Sequence, residues 1–157
     1  MKRKKIIVSI GLGVCIALLT IVTFGNRDVW DSNAKNLKEA FKPISGDEAV
    51  IEDLNAWIPF DWDTLYSFAP YTPKETIYET IGYKWDHISE TVNEGMNQMV
   101  FVNDGTVVCY LFGYPENNKI GFNFGEYKGN YIKLTNEQQL SFKMTQDDDV
   151  RYFEYID

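Results

Sequence analysis

The apolar positions of this chain change their period along its length. From Ile6 to Phe24 they are continuous, and IIVSIGLGVCIALLTIVTF runs nineteen residues without a charge. As a helix that run reaches roughly 28 Å, close to the ~30 Å of a bilayer's hydrocarbon core. Helical spacing follows, with Leu37 and Phe41 four apart and, further on, Ile77 and Ile81 four apart. From Gln98 onward the pattern becomes β, in QMVFVNDGTVVCYLF, KIGFNFGEY, YIKL, LSFKM and VRYFEYI.

Turn and cap residues sharpen these elements. The spacing predicts an amphipathic helix over about Ser32 to Lys42, closed by Pro43. Ser45 and Glu48 have capping-box spacing, so DEAVIEDLNAW reads as a second short helix with Val50, Leu54 and Trp57 on one side, or its apolar run as a strand. DWDTLYSFAPY alternates Trp62, Thr64, Tyr66 and Phe68 against Asp63, Leu65 and Ser67, and predicts a strand ending at Pro70. In TPKETIYETIG, Thr72 is placed to cap, Pro73 to open the helix, Glu75 to close the capping box and Gly82 to end it. DHISETVNEGMN predicts a loop. Asn103-Asp104-Gly105 between two apolar runs predicts a hairpin, because such a turn needs the positive φ that glycine tolerates. Pro115-Glu116-Asn117-Asn118 and Asp147-Asp148-Asp149 predict further turns. The expected fold is α+β: a single N-terminal transmembrane helix, then a small domain with an antiparallel sheet of about five to seven strands packed with one or more short helices.

Charge orients this arrangement. Lys2, Arg3, Lys4 and Lys5 precede the apolar run, and Arg27, Asp28 and Asp31 follow it. By the positive-inside rule, residues 1–25 form a cytoplasmic cationic tip and an anchor in the cell membrane through Ile6–Phe24. Residues 26–44 are then a juxtamembrane helical segment, and residues 45–157 an extracytoplasmic domain. Cleavage would instead secrete the domain, but Thr23-Phe24-Gly25 is a poor cleavage site. Cys15 lies in the middle of the apolar run, not at its end where a lipoprotein needs it. The net charge of −8 becomes −12 without the four N-terminal cations, since 11 Lys and Arg then face 23 Asp and Glu. Such a domain repels nucleic acid and favours a cationic envelope protein or peptide.

Familiar catalytic signatures are missing from the sequence. There is no Gly-rich phosphate loop and no Gly-x-Ser-x-Gly elbow. His87 is the single histidine and Cys109 the single cysteine after the apolar run, so no His- or Cys-based zinc set, no intrachain disulfide in the exported part and no cofactor are expected. Cys109 in TVVCYLF reads as a small buried apolar residue, and His87 as solvent-facing or stacked on Trp85. Asp61 and Asp63 on one strand face would stand ~7 Å apart, a separation that suits glycosidase carboxylates. Aspartates at a strand start equally cap backbone amides. Asp147–Asp149 lacks the alternating ligands of a calcium loop and reads as a solvated turn. Asp61, Trp62, Asp63, Tyr66, Tyr71 and Trp85 remain as a possible partner-binding edge, set against the reading that these rings are core.

Trp62-Asp63-Thr64-Leu65-Tyr66-Ser67-Phe68-Ala69-Pro70-Tyr71-Thr72, then Ile81-Gly82-Tyr83-Lys84-Trp85, then VFVNDGTVV, resembles a family of small bacterial exported domains, over about residues 60 to 112. Its members are often lipoproteins or carry an N-terminal membrane segment, so the resemblance implies an exported location and a domain boundary. It implies no activity, and the chain departs from the lipoprotein members in lacking their cysteine. The expected function is a non-enzymatic, membrane-tethered domain that binds a protein or peptide in the cell envelope. A narrower alternative is an immunity or inhibitor protein against an exported toxin or lytic enzyme. An enzymatic alternative is an envelope glycan hydrolase using Asp61, Asp63 or Glu75.

Overall fold

The computed structural model describes residues 28–156. The elements are α1 (Val29–Ala40), β1 (Glu48–Ile51), a single 3-10 turn (Leu54–Ala56), β2 (Thr64–Phe68), α2 (Lys74–Ile81), β3 (Asn97–Asn103), β4 (Thr106–Gly113), α3 (Pro115–Asn118), β5 (Ile120–Asn123), β6 (Tyr131–Thr135), β7 (Ser141–Asp147) and β8 (Val150–Ile156). The expected anchor Ile6–Phe24 lies outside the described residues. Among those described, no helix is long and apolar enough to cross a membrane.

The α+β class holds, but the expected single sheet is two four-stranded sheets, ordered β1-β7-β8-β5 and β4-β3-β2-β6. Nor is the pairing wholly antiparallel, since β5 runs parallel to β8. Alternation along the strands explains the pairing of layers. Ile51, Phe122, Phe142, Met144 and Phe153 point inward from the first sheet, and Leu65, Met99, Phe101, Leu111 and Leu134 from the second. Both sets join one buried cluster, so each sheet covers the other's apolar face. The second sheet is apolar on its other face too. There Phe68, Val100, Val102, Val107 and Tyr110 pack with Ile77 and Ile81 of α2 and with Ile88 of the following loop.

Helix α1 closes the side of this stack. Ala34, Leu37 and Phe41 enter the inter-sheet cluster, while Trp30 packs against the α2-side cluster. The expected boundary between residues 44 and 45 is therefore not a break in packing, because Ala34, Leu37, Phe41 and Ile44 before it supply core. A bulge in β4 helps to seat the helix. Phe101 faces Cys109 while Val102 faces Val107, which leaves Val108 as the extra residue. Asn33 Nδ2 donates to its freed carbonyl at 2.9 Å. An edge strand is thus covered.

Local corrections have local causes. Ser45 and Glu48 do not cap a helix, because Glu48–Ile51 pairs with β7 and turns Ala49 and Ile51 inward. Thr72 does not cap α2. Its hydroxyl donates instead to Ala69 O (2.7 Å) and Asn130 O (3.1 Å), Pro73 takes the cap position in extended conformation, and Lys74 N–H finds Glu90 Oε1 at 3.0 Å. The expected stop is seen: Gly82 lies at φ 91° and donates to Tyr78 O. The Asp104-Gly105 hairpin is present too, with both residues at positive φ.

Candidate functional site

The structure separates the six residues expected to form one edge. Trp62 is buried, with its ring 5.5 Å from that of Phe101 and nearly perpendicular to it. Asp63 Oδ2 accepts from Asp104 N–H at 2.8 Å, so this carboxylate closes the β3–β4 turn. Asp61 is exposed on the rim of a hollow that Asn55, Asn103 and Asn136 also line. These three residues belong to the hairpin end of the domain, and Trp62 belongs to its core.

Trp85 stands elsewhere, over β4. It meets Tyr110 at 5.4 Å and Trp30 at 5.3 Å, both edge-on. His87 is exposed and lies 5.2 Å from Trp85, as its position suggested, and 4.9 Å from Trp30. This cluster fastens α1 to the loop after α2. Its centre is Tyr110, whose hydroxyl accepts from Gln98 Nε2 (3.1 Å) and Ser89 N–H (3.2 Å) and donates to Ser89 O (3.3 Å). Burial pushes its phenol up to about 12, while the bonds to Ser89 and Gln98 pull the other way. The neutral form is favoured by folding, so its contribution is intact below pH ~10 and lost as pH rises through about 12. Urea unfolding should show stability falling by up to roughly 2 kcal/mol across that window. Tyr110→Phe should start lower by about 1 kcal/mol and show a flatter decline.

Tyr66 meets Tyr131 of β6, whereas among the described residues Tyr71 makes no ring contact with either and is tied to β6 only through its neighbour Thr72. Across β2 and β6, Tyr66 faces Lys133 and Phe68 faces Tyr131. The Tyr131 ring lies 5.5 Å from Tyr66 and 6.0 Å from Phe68, and Lys133 Nζ stands 5.9 Å over the Tyr66 ring. The Thr72 hydroxyl ties the Tyr71 loop to Asn130, the residue before Tyr131. Tyr71 is 57% exposed and Tyr131 42% exposed. Tyr71 also adopts φ 64°, a left-handed backbone that is costly for a bulky side chain, and its N–H is held by Thr91 Oγ1 at 2.9 Å. A strained backbone that holds a ring in water is a feature associated with function.

The β6 backbone at this place is open. Ala69 N–H donates to Asn130 O, and Asn136 N–H to Asp63 O. Antiparallel alternation from these two points turns the backbone groups of Tyr131, Lys133 and Thr135 away from β2. Thr135 N–H is already met by the Gln138 side chain at 2.7 Å. Tyr131 and Lys133 therefore present edge donors and acceptors, with the exposed Tyr131 ring on the same strand. Their signal in the sequence is slight: alternate outward positions in YIKL, next to apolar inward ones.

Elsewhere, a cleft of about 490 Å³ runs between Glu94–Asn97 and the outer face of β5 and β8, with Tyr127, Tyr152 and Glu154 on its walls. Cys109 is fully buried, and burial pushes its thiol well above the ordinary range. Among the described residues no group of three or more His, Cys, Asp or Glu is gathered as a metal would need. Neither protein-family models, nor curated proteins, nor solved structures match this chain. Function is therefore read from the geometry.

Proposed function

We propose that this is a membrane-tethered extracytoplasmic domain, without a catalytic role, that captures a protein or peptide partner of the cell envelope along the open edge of β6. The observation that carries this reading is the backbone of Tyr131 and Lys133, unpaired among the described residues, on an edge strand that also carries the exposed ring of Tyr131. An extended segment of the partner would add as a further strand, with main-chain bonds giving affinity and the Tyr131 ring fixing register. The acidic balance of the domain favours a cationic partner, whose approach would be steered by long-range attraction. The exported location rests on the charge-flanked apolar run and on the resemblance given above. An exported toxin or lytic enzyme is the narrower form of the same partner class.

A photo-crosslinking residue at Tyr131 tests the edge in intact cells, with one at Val50, 65% exposed on edge strand β1, for comparison. A discrete adduct is expected from position 131 and not from position 50. Lys133→Pro should abolish that adduct while leaving stability within about 1 kcal/mol, since its N–H faces away from β2. Equal adducts from both positions, or an adduct that survives Lys133→Pro, would exclude strand addition at β6.

A further inference from the structure

The domain is acidic, yet its cations are unevenly spread. Of the fifteen Lys and Arg, Lys2, Arg3, Lys4, Lys5 and Arg27 precede the described residues, so ten remain. Half of those ten, Lys35, Lys38, Lys42, Lys119 and Arg151, line one groove of about 490 Å³. It lies between α1, the turn from α3 into β5 and the start of β8, away from the β6 edge.

Two acids, Glu39 and Asp149, share the groove. Lys119 Nζ lies 2.8 Å from Asp149 and holds that carboxyl below its ordinary range. Lys42 pairs with Glu39 at 2.6 Å, and Lys35 with Asp31 one turn back. All three pairs are solvent-exposed, so each is weak and readily exchanged. Lys38 and Arg151 have no carboxylate partner among the described residues. Lys38 Nζ is steered 3.5 Å from Asn118 Oδ1. Arg151 Nη2 donates to the carbonyls of Lys42 (3.3 Å) and Ile44 (3.1 Å), and its buried Nε–H has no partner among the described residues.

From this geometry we infer that the groove binds a chain of phosphate groups, either an oligophosphate or a phosphodiester polymer. Lys35 and Lys38 of α1 and Lys42 in the turn just after it line the groove together with Lys119 and Arg151, a wider set of cations than a single phosphate needs. Part of the Arg151 fork is given to backbone carbonyls, so the groove offers mainly point charges and little bidentate match for a planar carboxylate. None of its lining residues is aromatic, so nucleic-acid bases would find nothing to stack on.

Calorimetry on the full chain in neutral-detergent micelles at low salt tests this inference. Tripolyphosphate should bind saturably and about tenfold tighter than orthophosphate. Lys38→Gln combined with Lys119→Gln should weaken tripolyphosphate by about tenfold and flatten the salt dependence. Lys84→Gln combined with Lys128→Gln removes the same charge from exposed positions outside the groove and should change affinity less than about twofold. Competition by a soluble glycerol-phosphate oligomer would identify a polymer as the source. Competition only by phosphatidylglycerol doped into the micelles would mean a single-phosphate headgroup and would overturn the assignment. Saturable tripolyphosphate binding with competition by neither phosphodiester would identify an oligophosphate as the source. Absence of saturable binding, equal loss in both double variants, or tighter binding of a thymidine oligonucleotide would each overturn the assignment.

Discussion

Replacing Phe41 by alanine is expected to lower the unfolding free energy by about 3–5 kcal/mol, measured by urea denaturation with an unchanged slope. The ring is wholly buried at the C-terminal end of α1. It sits 4.7 Å from Phe153, 5.9 Å from Phe122 and 6.1 Å from Trp57, and so touches β8, β5 and the segment after the 3-10 turn at once. Its neighbours belong to a sheet that cannot collapse inward without breaking its own ladder, so the space would stay largely empty. The same geometry bears on where the domain starts. A chain begun at residue 45 loses Ala34, Leu37 and Phe41 from the core, and it also uncovers the β4 edge that Asn33 meets at Val108. Such a fragment should expose apolar surface and aggregate, whereas one begun at Asn26 keeps both clusters. A loss below about 1 kcal/mol for Phe41→Ala would make α1 a tether and not a wall of the core.

That helix shows what could be read in the sequence. Leu37 and Phe41, four apart, announced an amphipathic helix with a buried stripe, and both are buried. Nothing in the spacing said what covers the stripe, because periodicity reports a face and not its partner. The same limit explains the sheets. Alternation identified the strands of the C-terminal half, but only the pairings among them decide between one sheet and two. Ser45, Glu48, Thr72 and Glu75 had the right spacing for caps and were overruled by tertiary bonds, namely the β1–β7 ladder and the Thr72 contact to Asn130. Gly82 and Asp104-Gly105 were legible because positive φ is a local demand. Among the site residues, Trp62 and Tyr66 alternate in sequence, yet one is core and the other borders the β6 edge. Tyr131 and the cationic groove depend on residues far apart in the chain.

Asn97→Ala is the second large effect expected, a loss of about 2–4 kcal/mol, because two backbone groups lose their partners at once. Asn97 opens β3 in one sheet, and its side-chain amide reaches edge strand β5 of the other. There Nδ2 donates to Phe122 O and Oδ1 accepts from Phe122 N–H, both at 2.9 Å. The amide thus acts as a missing residue of a neighbouring strand, and it joins the sheets at the mouth of the 490 Å³ cleft. Phe122 is itself buried, so water is a poor substitute at its backbone. Asn97→Asp separates this pairing from mere side-chain volume. Its carboxylate can still accept from Phe122 N–H but opposes Phe122 O, so folding should favour the protonated acid and raise its pKa. The benefit of the proton is then fully present below the unfolded value of ~3.9 and is lost as pH rises through the raised folded value. Unfolding at pH 4 and pH 7 should therefore show Asn97→Asp closer to wild type at the lower pH, while Asn97→Ala keeps the same deficit at both. Equal deficits for the two variants at both pH values would mean that packing, and not the paired amide bonds, joins β3 to β5.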